Sequence, residues 1–229
     1  MPSVIQVHYP SDYKMIRFSL ILRVAERRSM WRALEVFGEG MELKNIMVQR
    51  PTDRMPDVVF RLMNLIMGII DFRSKRIDER VKAFGIKEGS TVVDYGCGPG
   101  RYTMRFSKMV GDNGKVYAVD THELAIAAIG RKIDKFDLEN VEPILARGYS
   151  TTLPDHTADI VCALDIFFMV KEPSEFLREI KRITATGGVL VIDDGHQPRE
   201  ATKRKILASG MWTIEEETND HLKCKAIES

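Results

Sequence analysis

The chain has 229 residues, with 34 Lys and Arg against 33 Asp and Glu for a formal net charge of +1, so it fits one domain with an appendage and has no net field to hold a nucleic-acid backbone. Three cysteines, Cys97, Cys162 and Cys224, are too few and too dispersed for a disulfide framework or a four-ligand zinc site, and a reducing cytoplasm is the simplest setting. The first residues lack the cationic start and apolar run of a signal peptide, and the longest apolar stretch, 58–72, is interrupted by Arg61 and Asn64 and is shorter than the ~20 residues that cross a bilayer.

Residues 11–37 carry a helical pattern, followed by loop punctuation at Gly38-Glu39-Gly40 and Arg50-Pro51. Residues 57–84 read as a long helix or a broken helix pair, with Pro56 at the entrance and Gly85 as a C-terminal cap. Met63 and Met67 lie one turn apart on its apolar face, which suits packing on a sheet or covering a ligand. Arg73, Lys75, Arg76 and Arg80 follow. They fit a solvated charged face, or else the basic flank of a helix lying on a membrane surface.

From Thr91 onward, short Val, Ile and Leu runs alternate with amphipathic segments, the pattern of a mostly parallel sheet covered on both faces. Strands are predicted at 91–94, 115–120, 141–145, 158–164 and 189–193, and helices at 102–109, 123–136, 174–184 and 199–209. Two further strand-like runs, 212–218 and 222–227, flank Asn219-Asp220, which is hairpin turn chemistry.

The chemistry concentrates where the first strand, TVVDY, runs into the glycine turn that ends at Gly100. Gly96, Gly98 and Gly100 are spaced so that the backbone can approach a ligand closely at the carboxyl end of a strand. Such a turn can also be purely structural. Asp120, however, ends the second strand twenty residues later, where a carboxylate can accept hydrogen bonds from both hydroxyls of a ribose.

With Asp94 leading, this D-x-G-x-G-x-G run resembles motif I of class I S-adenosylmethionine-dependent methyltransferases. The runs VYAVD at 116–120, DIVCALD at 159–165 and GGVLVID at 187–193 are similar to that family's later motifs, and the resemblance covers roughly residues 57–227. It implies an α/β three-layer Rossmann-like sandwich with a seven-stranded, mostly parallel sheet of order 3-2-1-4-5-7-6 and an antiparallel last strand. The S-adenosylmethionine-binding domain would occupy residues 57–229, preceded by an N-terminal helical extension or lid at 1–56.

By the same resemblance, Asp94 helps orient the amino-acid end of the cofactor, the three glycines pass beneath it, and Asp120, with Thr121 beside it, binds the ribose. Asp165, at the end of strand four, falls where the family places cofactor and acceptor contacts. One position departs from the pattern. Many relatives have an Asp-Ala pair that holds the adenine amino group, but this chain has Gly148-Tyr149-Ser150. Backbone groups, the Ser150 hydroxyl or stacking on Tyr149 would then hold adenine, and ordinary packing accounts equally well for Tyr149.

Methyl transfer from a sulfonium needs alignment and desolvation rather than a catalytic triad. No Ser-His-Asp or Cys-His arrangement stands out, and Cys97 reads as small packing. Phe167, Phe168 and Met169 suit either an apolar acceptor pocket or a buried strand end. The segment lacks the Asp-Pro-Pro-Tyr pattern of many adenine- and cytosine-amino methyltransferases, which points to a small-molecule acceptor rather than nucleic acid. In Asp193-Asp194-Gly195-His196, His196 is the catalytic candidate for accepting a proton, and a solvated turn explains the same residues. Two other functions fit the pattern: a noncatalytic cofactor-binding or assembly protein on this fold, and a nicotinamide oxidoreductase, which the glycine spacing disfavours. The oligomeric state is left open.

Overall fold

The computed structural model describes residues 57, 58, 60, 61, 64, 65 and 75–228. Its centre is a seven-stranded sheet of order β3-β2-β1-β4-β5-β7-β6. The strands are β1 (Thr91–Tyr95), β2 (Lys115–Asp120), β3 (Val141–Leu145), β4 (Ala158–Ala163), β5 (Thr184–Ile192), β6 (Trp212–Glu217) and β7 (Leu222–Ala226). β1 pairs in parallel with β2, Val92 opposite Val116, and with β4, Val93 opposite Val161. β7 runs antiparallel to both β5 and β6.

β1 and β4 sit in the middle of the sheet and are buried along nearly their whole length, which is why they read as continuous apolar runs without alternation. Successive side chains of β1 enter opposite layers. Val92 packs with Phe84, Phe106 and Ile129, while Val93 packs with Leu177, Ile180 and Ile206. The first layer is covered by α1 (Lys75–Lys82), α2 (Thr103–Val110) and α3 (Glu123–Phe136), and the second by α4 (Pro173–Ile183) and α5 (Arg199–Ala208). α4 buries Phe176, Leu177, Ile180 and Ile183, one helical face at 3.6-residue spacing, and Pro173 opens it where a missing N–H costs nothing.

Two boundaries differ from expectation. β5 begins at Thr184, directly from α4, instead of near residue 189. Pairing steps from Ala158 opposite Thr184 to Ile160 opposite Val189, so Gly187-Gly188 lies in a bulge within the strand instead of a loop before it. A Cβ on Gly188 would come within 2.8 Å of the Ala185 carbonyl oxygen, which excludes a side chain there. The 57–84 segment is helical at its described positions up to Lys82, and Gly85 at φ +85° follows three residues later. Residues 1–56, with the expected extension and the 11–37 pattern, and Met63, Met67 and Arg73 lie outside the described residues. Among the described residues no helix is long and apolar enough to cross a membrane, and no cluster of three His, Cys, Asp or Glu side chains is arranged to hold a metal.

Candidate functional site

Because β1, β2 and β4 are parallel neighbours, the loops at their carboxyl ends converge, and they enclose a cavity. Gly96, Cys97, Gly98 and Pro99 form one wall, Asp120, Thr121 and His122 the next, and Gly148 and Tyr149 another. Asp165, Ile166 and Met169 face them from the loop after β4, and Phe60 reaches the wall from the N-terminal side.

The three motif glycines all have positive φ, but for different local reasons. A Cβ on Gly96 would fall 2.6 Å from the Ile166 side chain, and one on Gly100 would fall 2.6 Å from Ile129. At Gly98 a Cβ would meet nothing within 4 Å, because that position faces the open cavity. The loop is pinned from beneath by Gly96 and Cys97, whose N–H groups both donate to the Val119 carbonyl at 2.7 and 3.0 Å. Asp120 pins it from the side, accepting from Gly98 N–H at 2.9 Å. Burial pushes the Asp120 carboxyl pKa upward, and the backbone donors Gly98 and His122 oppose that rise.

Asp94 lies near the end of β1, beneath the glycine turn. It is 1% exposed and sits behind the glycine loop, off the cavity wall, accepting from the Thr103 hydroxyl at 2.6 Å. Its burial pushes its pKa up to about 7. Its direct role is to tie β1 to α2 under the loop.

Asp165 does reach the wall. It holds a left-handed backbone, φ +59°, which is unusual for a residue other than glycine and concentrates at functional sites. Its carboxylate accepts from Tyr102 Oη at 3.2 Å, and Arg101 Nη1 lies 3.9 Å away. Tyr149 lines the cavity and also packs edge-on against Phe176, while its backbone carbonyl accepts from Tyr95 Oη, so wall and packing are the same residue. Ser150 is exposed on the 147–150 turn and is not among the cavity-lining residues.

The Asp193–His196 residues take different partners. Asp193 is buried against Arg80, Asp194 is held by Arg199 at 2.8 Å, and His196 is exposed and stands edge-on to Phe168, off the cavity wall. This favours the solvated turn for His196. Phe167 is core and Met169 is wall, so the apolar trio is split between both expectations.

Sequence reasoning missed Phe60, Arg80, Arg101, Tyr102 and His122. Arg80 carried a misleading signal, since a cation in a charged helical run reads as solvated, yet here it is folded inward onto Asp193 and Tyr102. His122 had a usable one: it lies two residues after the candidate ribose acid and immediately before a helix, where its Nδ1 accepts from Leu124 N–H as an N-cap.

The sheet order, with its single strand antiparallel to the rest, and a glycine turn facing an acid across the strand ends define the class I methyltransferase architecture. The methyltransferase domain family matches residues 86–225, more than half of the chain, and the chain belongs to that family. It is similar to the demethylmenaquinone methyltransferase of Bacillus mycoides, 26% identical over 157 residues that make up 66% of each chain. It is also similar to the ubiquinone/menaquinone biosynthesis C-methyltransferase of Escherichia fergusonii, 31% identical over 59% of this chain and 55% of that protein. The matches thus span under two thirds of these relatives' own length. Among solved structures, the S-adenosylmethionine-dependent methyltransferase from Aquifex aeolicus superimposes with a TM-score of 0.64 at 26% identity, covering 76% of this chain and 100% of that one. S-adenosylmethionine is the cofactor of this family, and the nicotinamide alternative falls away.

Proposed function

We propose that the protein transfers the methyl group of S-adenosylmethionine to a small, largely apolar organic acceptor. The observation that carries this is one cavity with two kinds of wall: the glycine turn and Asp120 on one side, and Ile166, Met169, Val170 and Phe176 on the other. The polar wall fits the cofactor. Gly98 leaves open the space a side chain would fill, and each Asp120 carboxylate oxygen, although already accepting one backbone N–H, keeps acceptor capacity for ribose hydroxyls. Thr121 stands beside it, and Tyr149 offers a ring face toward the adenine side in place of the usual acid.

When bound, the cofactor supplies an electrophilic methyl on a sulfonium that leaves as a neutral thioether. What the chain contributes is alignment and exclusion of water. The apolar wall desolvates the acceptor, and the hydrogen-bonded glycine loop keeps the reacting ends from drifting apart. The relatives named as quinone-pathway methyltransferases make a hydroxylated aromatic ring the acceptor class that best matches this wall. A hydroxylated aromatic acceptor gives up one proton in gaining the methyl, and that proton passes to solvent as the phenolate forms, with no proton transfer assigned to His196.

Calorimetry with S-adenosylmethionine, S-adenosylhomocysteine and NAD tests the cofactor, and labelled-methyl transfer to hydroxylated aromatics with and without an apolar tail tests the acceptor. Binding of NAD in preference to S-adenosylmethionine overturns the reading. Tight S-adenosylmethionine binding with no transfer to any fraction of a source extract favours a noncatalytic cofactor-binding protein.

A further inference from the structure

α1 lies ahead of the matched domain segment, yet one of its side chains bonds to a residue of the cavity wall, Tyr102. Arg80 Nη2 donates to Asp193 Oδ2 at 2.6 Å and to the Asp220 carbonyl at 3.0 Å, and Nη1 donates to Tyr102 Oη at 2.6 Å. Tyr102 Oη in turn donates to Asp165 Oδ2, while Asp193 Oδ1 accepts the Asp165 backbone N–H at 2.8 Å. Arg80, Tyr102, Asp165 and Asp193 therefore close a hydrogen-bonded ring. Tyr102 and Asp165 are both cavity wall, one from the segment between the glycine turn and α2 and the other from the loop after β4.

We propose that Arg80 is a positioning residue for the cofactor site, fixing the separation of these two walls and holding Asp165 in its left-handed conformation. This rests on the cofactor reading given above.

The geometry suits a guanidinium and no other side chain. Its planar fork presents donors in fixed directions, and here they meet a carboxylate, a phenolic oxygen and a backbone carbonyl from three separate segments, whereas an ammonium on a flexible stem cannot hold all three at once. The arrangement is also shielded, with the Arg80 and Asp193 side chains 16% and 5% exposed, so its hydrogen bonds are not screened as a surface pair would be. A strained backbone such as that of Asp165 persists only where its surroundings over-determine it. Asp193 holds its N–H and Tyr102 its carboxylate, and Arg80 holds both of those holders. Without the guanidinium, Asp193 is a buried carboxylate facing Asp165 with no Arg80 cation beside it; its protonation weakens the bond from the Asp165 N–H and its rotation breaks that bond.

The test uses the full chain and four variants, Arg80→Lys, Arg80→Met, Tyr102→Phe and the Arg80→Met/Tyr102→Phe double variant, each titrated with S-adenosylmethionine well below its own melting temperature. Arg80→Met and Tyr102→Phe are each expected to raise Kd by about tenfold, the scale of one charge-assisted hydrogen bond, with Arg80→Lys between them and the parent. The double variant should bind no worse than the weaker single one, because one break already opens the ring. Parent-like affinity in folded Tyr102→Phe, which keeps the aromatic ring and loses only the hydroxyl, overturns the inference even if Arg80→Met fails to fold, and so do independent, multiplying effects. Amide exchange without ligand supplies a second readout: residues 164–170 should exchange faster in Tyr102→Phe and Arg80→Met while the central strands stay protected. If the parent binds no S-adenosylmethionine, the cofactor reading fails, and the exchange result still decides whether Arg80 positions the loop.

Discussion

Asp120 and Gly98 face each other across the end of the sheet, the acid's Oδ2 accepting the glycine's N–H at 2.9 Å, while the other oxygen accepts from His122 N–H at 2.8 Å. One carboxylate thus ties the glycine turn to the start of α3. The residue proposed to meet the ribose is also the one that shapes the loop beneath the cofactor, so its loss acts on both.

Asp120→Ala is expected to weaken S-adenosylmethionine binding by about 1.5–3 kcal/mol, the scale of hydrogen bonds to a charged group, with the domain still folded. Asp120→Asn should lose less, since its amide oxygen remains an acceptor. Calorimetry decides, and parent-like affinity in Asp120→Ala removes it from the ribose site.

The glycines of the turn should separate into two classes when substituted. Both Gly98→Val and Gly100→Val strain a positive φ, at a cost of order 1–3 kcal/mol each. Gly98→Val also fills the open cavity and should abolish cofactor binding, whereas Gly100→Val pushes into Ile129 and should chiefly lower the melting temperature. Circular dichroism establishes folding before binding is read. A folded Gly98→Val that binds normally shows that the ligand lies elsewhere.

Much of this fold was legible because its signals are local and periodic. Val92 and Val93 announce a buried parallel strand, the Asn219-Asp220 pair announces the hairpin, and spacing alone put Asp120 opposite the glycine turn. What stayed hidden depends on contacts remote in sequence. Arg80 meets a partner 113 positions away, and nothing near either residue marks the pairing. Motif position and turn composition suggested roles at a cleft for Asp94 and His196, and neither signal could show that β1 carries Asp94 behind the loop or that the turn sets His196 edge-on to Phe168.

The buried Asp94 carboxyl should make stability fall as pH rises through the weakly acid range. Its folded pKa of about 7 lies above its ordinary value of 3.8, so between those values the native state keeps a proton that the unfolded chain has released. The native state is penalised progressively on going from about pH 4 to 7, and the penalty is complete above that. Asp94→Asn removes this titration and keeps an acceptor for Thr103. Urea unfolding at pH 5 and pH 8 should therefore favour the parent, relative to Asp94→Asn, more at pH 5. A parent-to-variant difference that does not change with pH shows that Asp94 ionises normally. Asp193 is also pushed up to about 7 by burial and nearby Asp165, but it titrates in both proteins and so cancels.

Phe60 should matter for the cofactor. It is 3% exposed, its ring centroid lies 4.5 Å from that of His122, and both line the cavity. His122 is fixed from the other side. Its Nδ1 accepts from Leu124 N–H, so the neutral ring carries its proton on Nε2, 3.4 Å from an Asp57 carboxylate oxygen. Asp57 and Phe60 thereby secure the helical positions near 60 to the start of α3, over the wall that Asp120 and Thr121 form. Phe60→Ala should weaken S-adenosylmethionine binding by up to about 1.5–3 kcal/mol, the worth of a buried large apolar side chain, while the sheet stays folded. Deleting residues 1–50 keeps Asp57, Phe60 and every cavity-lining residue among the described ones, so cofactor affinity should remain near the parent's, while methyl transfer drops if that segment covers the acceptor side. Melting temperature, molecular mass, cofactor affinity and turnover of the two variants against the parent separate the roles. If Phe60→Ala binds as the parent does, the ring pair is packing alone. If deleting 1–50 unfolds the domain or destroys cofactor binding, that segment belongs to the core and the lid proposed for residues 1–56 is wrong.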